Sequence, residues 1–297
     1  MLDFIGIGAQ KAGTTWLYDQ FRSIQGVNVT PIKELHFFDR SKDYEYTPNF
    51  FSKSKLKGRL LEKRWYIRVL KDTFRELLIY KNISNAQWML KWHFANYSDE
   101  FLNDFIKNWN VTGLKGEITP SYSVLEVKDI KRIKDLFPNV KIIFLLRNPI
   151  ERAWSHCRYR NPSVLNSIDD TIDFINSQEQ HLRSNYELTI ENYLNLFDKS
   201  QILVCFYDCI IDSPDNLLKE ILSFINCDFD SLPITLKKVS NQSLKKEIDE
   251  KVLNFLKDKY KPMMYNLSEN YGSYFTKWVN DYFGSSNKWD KKCSFHP

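Results

Sequence analysis

The stretch Phe4-Ile5-Gly6-Ile7-Gly8-Ala9-Gln10-Lys11-Ala12-Gly13-Thr14-Thr15-Trp16-Leu17 reads as strand, loop and helix in immediate succession. A short apolar run ends in a glycine-containing loop. Leu17, Phe21 and Ile24 then recur at i, i+4 and i+7, one face of a helix that starts near Thr14. Glycine is otherwise scarce, at 9 of 297 residues, yet Gly6, Gly8 and Gly13 all fall at the start of the chain. Backbone N–H groups in such a loop and at a helix N-terminus point toward a bound anion, and the helix dipole favours it.

The same unit recurs downstream. Lys141-Ile-Ile-Phe-Leu-Leu146 is a continuous apolar strand of the kind buried on both faces of a parallel sheet. Pro149 suits the first turn of the following helix, whose apolar face is Ile150, Ala153, Trp154 and Cys157. A third unit runs from the strand 201–207 to Ser213, a candidate cap, and Pro214, which opens a helix carrying Leu217, Leu218, Ile221, Leu222 and Ile225. One more helix is expected at 247–260. Strands alternating with helices predict an α/β fold, a central parallel β-sheet flanked by helices. We expect a single domain over 1–283 with a helical, basic and aromatic insertion at about 40–110, where residues 51–71 hold eight Lys/Arg against Glu62 alone. Residues 284–297 are polar and expected to form a loose tail.

Composition narrows the class. The chain is 43% hydrophobic and 27% charged, as soluble globular proteins are, and no apolar run is long enough for a membrane span. No basic n-region precedes the first strand, so a cytoplasmic protein is expected. A net charge of +5 is too small at this length to argue for a nucleic-acid partner. The five cysteines show no CxxC pair and read as reduced or incidental thiols, and the five histidines lack metal-ligand spacing.

The Gly8–Gly13 frame has the Gly-x4-Gly spacing of a nucleotide phosphate loop, but Thr14 stands where an NTPase carries lysine, and the lysine lies inside the loop at Lys11. No acidic strand end offers itself to Mg²⁺. The segment from Gly8 through Ala9, Gln10, Lys11, Ala12, Gly13, Thr14, Thr15 and Trp16 instead resembles the 5′-phosphosulfate loop of sulfotransferases that use 3′-phosphoadenylyl sulfate (PAPS). Leu145-Leu-Arg147-Asn-Pro-Ile-Glu-Arg-Ala-Trp-Ser155 is similar to that family's 3′-phosphate site. Arg147 follows a strand, where open α/β sheets bind ligands, and its fork suits a phosphate; Ser155 adds a hydroxyl from the next helix.

Lys33-Glu34-Leu35-His36-Phe37-Phe38-Asp39 resembles the segment after the first helix in glycan sulfotransferases, including the heparan sulfate enzymes, and Gly116–Tyr122 resembles another segment lining their cleft. Ile118 stands where heparan enzymes often carry lysine. Tyr207 is similar to a tyrosine near the adenine in cytosolic members, and one of Lys237, Lys238, Lys245 or Lys246 stands where the family closes over the nucleotide.

The resemblance implies a P-loop-type sulfotransferase fold and metal-independent in-line sulfuryl transfer from PAPS, with PAP as product. The acceptor is a hydroxyl or amine, a glycan by preference or a small-molecule alcohol. Lys11 would neutralise the leaving phosphate, and Glu34 would take the acceptor's proton, with His36 orienting it or acting as base itself. A P-loop kinase, a non-catalytic nucleotide-binding module and, last, a nucleic-acid binder using residues 51–71 are the competing readings. The oligomeric state is left open.

Overall fold

The computed structural model describes residues 1–40, 56–160, 167–227 and 247–297. Lys237, Lys238, Lys245 and Lys246 lie outside the described residues, as does part of the basic run. Six strands form one sheet: β1 (Phe4–Gly8), β2 (Val27–Val29), β3 (Leu114–Ile118), β4 (Lys141–Leu146), β5 (Ile202–Phe206) and β6 (Ser294–Phe295). Their order is β2-β3-β1-β4-β5-β6. The first five are parallel, and β6 runs antiparallel to β5.

Every residue of β1 and β5 is buried, as the unbroken apolar runs predict for strands covered on both faces. Close packing at the centre requires Gly116, where any Cβ would collide with the ring of Phe4 on the neighbouring strand. From β1 the chain winds outward to β2 and β3 on one side, and later to β4 and β5 on the other. The carboxyl end of β1 is therefore the point where winding reverses, the usual ligand position in an open sheet. Among the described residues no helix is long and apolar enough to cross a membrane.

The helices expected after β1 and β4 form as Thr14–Phe21 and Pro149–Arg160. The later helix is longer than its apolar spacing suggested: Glu250–Tyr271 passes through Pro262 and stops at Gly272, where φ is 61°. Ser213 precedes its helix without bonding it; its hydroxyl lies 3.3 Å from Cys293 Sγ instead.

Two expectations are corrected at the C-terminus. The end of the chain is not a loose tail, because Phe295 joins an aromatic cluster with Phe206, Tyr271 and Phe275, and β6 completes the sheet edge. Nor are all cysteines reduced: Cys209 and Cys293, 84 residues apart, form a disulfide with Cα atoms 5.7 Å apart. The fold brings together two residues whose spacing carries no motif. The bridge also gives no support to a cytoplasmic location, since structural disulfides belong mainly to oxidising compartments. Cross-links closing long loops typically stabilise by about 2–4 kcal/mol. Dithiothreitol is therefore expected to lower the Tm by roughly 3–6 °C, and scanning calorimetry should show a Cys209→Ser/Cys293→Ser variant indifferent to the reductant.

The 40–110 insertion has no separate core among its described residues. Trp88, Trp92, Phe101, Phe105 and Trp109 pack on one another, and Trp92 reaches Phe37 at 6.2 Å, which makes them continuous with the main core.

Candidate active site

The loop after β1 is fixed from several directions. Ala9 N–H donates to Leu145 O on β4, and Ala12 N–H to Ala9 O. Gly13 closes the loop at φ 92°; a Cβ there would lie 2.5 Å from Ile210 and 3.0 Å from Tyr207, so only glycine fits. The helix Thr14–Phe21 begins at Gly13 with no side-chain cap and no acid in its first turn, which leaves its leading N–H groups to an anion. Trp16 turns its side chain into the core and offers only backbone here.

Four cations converge on this loop. Arg147 Nη1 donates to Lys11 O at 3.5 Å across 136 residues of sequence, and its guanidinium lies 4.5 Å from the centre of the Tyr207 ring. The Tyr186 hydroxyl holds Arg147 O at 2.7 Å. Lys33 Nζ donates to Thr15 Oγ1 at 2.6 Å. Lys11 Nζ lies over the Tyr159 ring at 4.3 Å. Partial burial, then the charges of Arg147, Arg158 and Lys33, push the Lys11 pKa below its ordinary value. Such mutual repulsion is what an anionic ligand relieves. Glu151 Oε2 engages Arg147 through Nε and Nη2 at 3.1 and 2.9 Å, and Ser155 is buried on the same helix.

Glu34, His36 and Asp39 form a chain beside the loop. His36 Nδ1 is 2.7 Å from Asp39 Oδ2, and its Nε2 is 3.5 Å from Glu34 Oε2. Lys33 Nζ stands 3.5 Å from the other oxygen of Glu34. Burial works against the charge on His36, but Asp39 and Glu34 prevail and raise its pKa to about 9. Burial likewise opposes the charge on Glu34, yet the His36 hydrogen bond and Lys33 hold its pKa at about 2. His36 is thus an imidazolium donating from both nitrogens, which fits an orienting role and not that of a base. Glu34 stays ionised, with 36% of its side chain accessible.

Lys11, Glu34 and His36 are three of the six non-glycine residues at positive φ among the described residues, with φ of 71°, 63° and 50°. Such conformations are costly and concentrate where geometry serves chemistry.

The raised pKa of His36 is also a statement about stability. A histidine at about 9 in the fold and 6.5 when unfolded stabilises fully below pH 6.5, and that contribution fades as pH climbs through 9, a loss on the order of 3 kcal/mol. Urea unfolding at pH 6 and pH 10 should show this fall in the wild type and a flatter response in His36→Gln.

A small cavity of about 10 Å³, room for roughly one water, lies beside Glu34 among Trp65, Trp92, Tyr97, Arg40, Arg59 and Arg68, with Trp65, Trp92, Arg40 and Arg59 buried. Arg40 and Arg59 both lie about 4 Å from the centre of the Tyr97 ring, at 4.1 and 4.0 Å. Apart from Glu34 and Arg40, all of these residues lie between positions 59 and 97. Behind the Glu34 chain, Glu117 is buried and its burial raises the pKa to about 7, against the hydrogen bonds of Thr119 and Tyr122. The Tyr122 hydroxyl accepts the Phe37 N–H at 2.9 Å and so ties the two cleft-lining segments together.

The fold thus gathers the loop, Arg147 and Tyr207 at one end of the sheet, and links them through Lys33 to Glu34 and His36. Three participants carried no role in the sequence reading. Lys33 and Asp39 lie in an irregular segment without periodicity to reveal their partners. Arg158 did leave a signal, since it follows Ser155 by three positions on one helix. Among the described residues no group of three or more His, Cys, Asp or Glu is arranged to hold a metal ion.

Residues 3–231 match the family described as "Sulfotransferase family". Among solved structures, a sulfotransferase from Alicyclobacillus acidocaldarius is similar at 18% identity and a TM-score of 0.56, covering 91% of this chain and 95% of that one. The sulfotransferase domain from the curacin biosynthetic pathway is similar at 15% identity and a TM-score of 0.51, covering 88% of this chain and 98% of that domain. At such identities the likeness is one of fold. No curated protein matches the chain.

Proposed function

Since the chain belongs to the sulfotransferase family, we propose that it moves the sulfuryl group of PAPS to a hydroxyl or amine of a carbohydrate acceptor, leaving PAP. The observation that carries this reading is the meeting of Lys11, Lys33 and Arg147 on the loop after β1, through Arg147 to Lys11 O and Lys33 to Thr15, with Arg158 on the helix behind; burial first, then these charges, lower the Lys11 pKa. A nucleotide with phosphates at both its 5′ and 3′ positions answers that charge; a ligand with phosphates at one end leaves part of it unmet.

The residues fit such a nucleotide. Lys11, Thr14, Thr15 and the N–H groups after Gly13 would hold its 5′ end, Arg147 and Ser155 its 3′-phosphate, and Tyr207 a wall near the base. When bound, PAPS supplies the sulfuryl group. Lys11 and the helix N-terminus provide the positive charge that transfer requires, and the reaction is expected to proceed in a metal chelator. Glu34, 36% exposed, would face the acceptor from the protein surface and take its proton. A carboxylate with a pKa of about 2 is a weak base, so the proton moves late, once bond formation has made the acceptor atom acidic. His36 keeps Glu34 ionised and aimed, and Asp39 keeps His36 charged.

A sugar acceptor is favoured by the likeness of the Lys33–Asp39 segment to glycan sulfotransferases; the cavity beside Glu34, about 10 Å³, is too small to hold a sugar and does not bear on that choice. The test is transfer of radiolabel from PAPS to a panel of oligosaccharides and small alcohols in EDTA. Label on an oligosaccharide is the expected result. Label confined to small alcohols would refute the acceptor class, and no label on any acceptor would refute the reaction.

A further inference from the structure

The helix Lys63–Phe74 has two contrasting sides. Inward, Trp65, Val69 and Asp72 are buried, and Arg68 donates to Lys33 O at 3.0 Å. Outward, Ile67, Leu70 and Phe74 are joined by Leu78 and Ile79 in the π-helical turn Arg75–Ile79, and by Ile83 on the next helix; these six are 54–70% exposed. Apolar patches of this kind on soluble proteins mark interaction surfaces.

The exposed charges of residues 60–94 all have one sign. Lys63, Arg64, Lys71, Lys81 and Lys91 are exposed. The carboxylates of this stretch are withdrawn: Asp72 is buried against Arg68, Glu76 is buried against Arg22, and Glu62 is half-buried. A solvated face would mix both signs, and a core face would carry neither.

We propose that this face docks on an anionic lipid bilayer, lying at headgroup level without spanning it. Aliphatic and aromatic side chains flanked by basic ones are the composition of interfacial helices, where apolar burial and attraction to anionic headgroups add. A second copy of the chain fits less well, because a two-fold contact sets a patch against itself and would oppose these five cations. The docking is independent of the reaction the cleft performs.

Flotation with vesicles of phosphatidylcholine alone, or mixed with phosphatidylglycerol, tests this directly. Binding to the mixed vesicles should be at least about tenfold stronger and should weaken with salt. It should be lost in an Ile67→Ser/Phe74→Ser/Leu78→Ser variant whose circular dichroism and thermal unfolding match the wild type. Absent flotation, equal binding to both vesicles, or flotation undiminished in the variant would each overturn the proposal. A solution dimer that the variant splits, with neither protein floating, would assign the face to a second copy and overturn it as well.

Discussion

Lys11→Ala is expected to lower turnover about 10²–10³-fold, the usual loss when one preorganised charge facing the transition state is removed, while the protein stays folded and melts at the same temperature or slightly higher. Lys11 is partly buried, and Arg147, Arg158 and Lys33 all disfavour its charge. A lysine retained for stability would not sit among like charges. The Tyr159 ring beneath its ammonium offsets part of this cost, and a bound polyanion would offset more, the familiar opposition between stability and activity at working sites. Arginine is not an equivalent replacement, because its planar fork demands a different geometry from a point charge. Steady-state kinetics and scanning calorimetry on one preparation decide the matter. A fall in activity with unchanged or raised Tm fits the account, whereas a parallel fall in both would make Lys11 a structural residue.

Glu34→Gln is expected to cost about 10²–10⁴-fold in turnover, the range for a positioned general base. The substitution preserves shape and removes the charge that Lys33 and His36 share. The pH profile separates the two possible bases. If Glu34 accepts the proton, activity is near its maximum with His36 protonated and declines as pH rises through about 9, when the imidazolium that aims Glu34 is lost. If His36 were the base, activity would rise over the same interval. With Glu34 as the base, His36→Gln should lower turnover less than Glu34→Gln does and remove the alkaline decline.

The sheet was legible because its strands are uninterrupted apolar runs closed by turn residues, so β1, β4 and β5 declared themselves without reference to one another. The loop and Arg147 were legible for the same reason: each is the first polar feature after a buried strand. Other features depend on contacts that no local pattern encodes. The Cys209–Cys293 bridge and the two-residue β6 pair segments brought together by the sheet edge. Lys33 reaches Thr15 only because the irregular segment after β2 folds back over the first helix, and Asp39 meets His36 within a turn that has no periodicity. Composition marked residues 40–110 as unusual, but it did not indicate that Trp65, Arg68 and Trp92 come to rest beside Glu34.

The central claim is that the four-cation cluster is a site for a nucleotide bearing both 5′ and 3′ phosphates. Calorimetric titration of the wild type and Lys11→Ala with PAP in EDTA, beside ATP with and without Mg²⁺, tests it most directly. The account predicts one-to-one, metal-independent PAP binding, at least about tenfold tighter than ATP and weakened by a similar factor in the variant. Preference for Mg·ATP, or no heat with PAP, would contradict it.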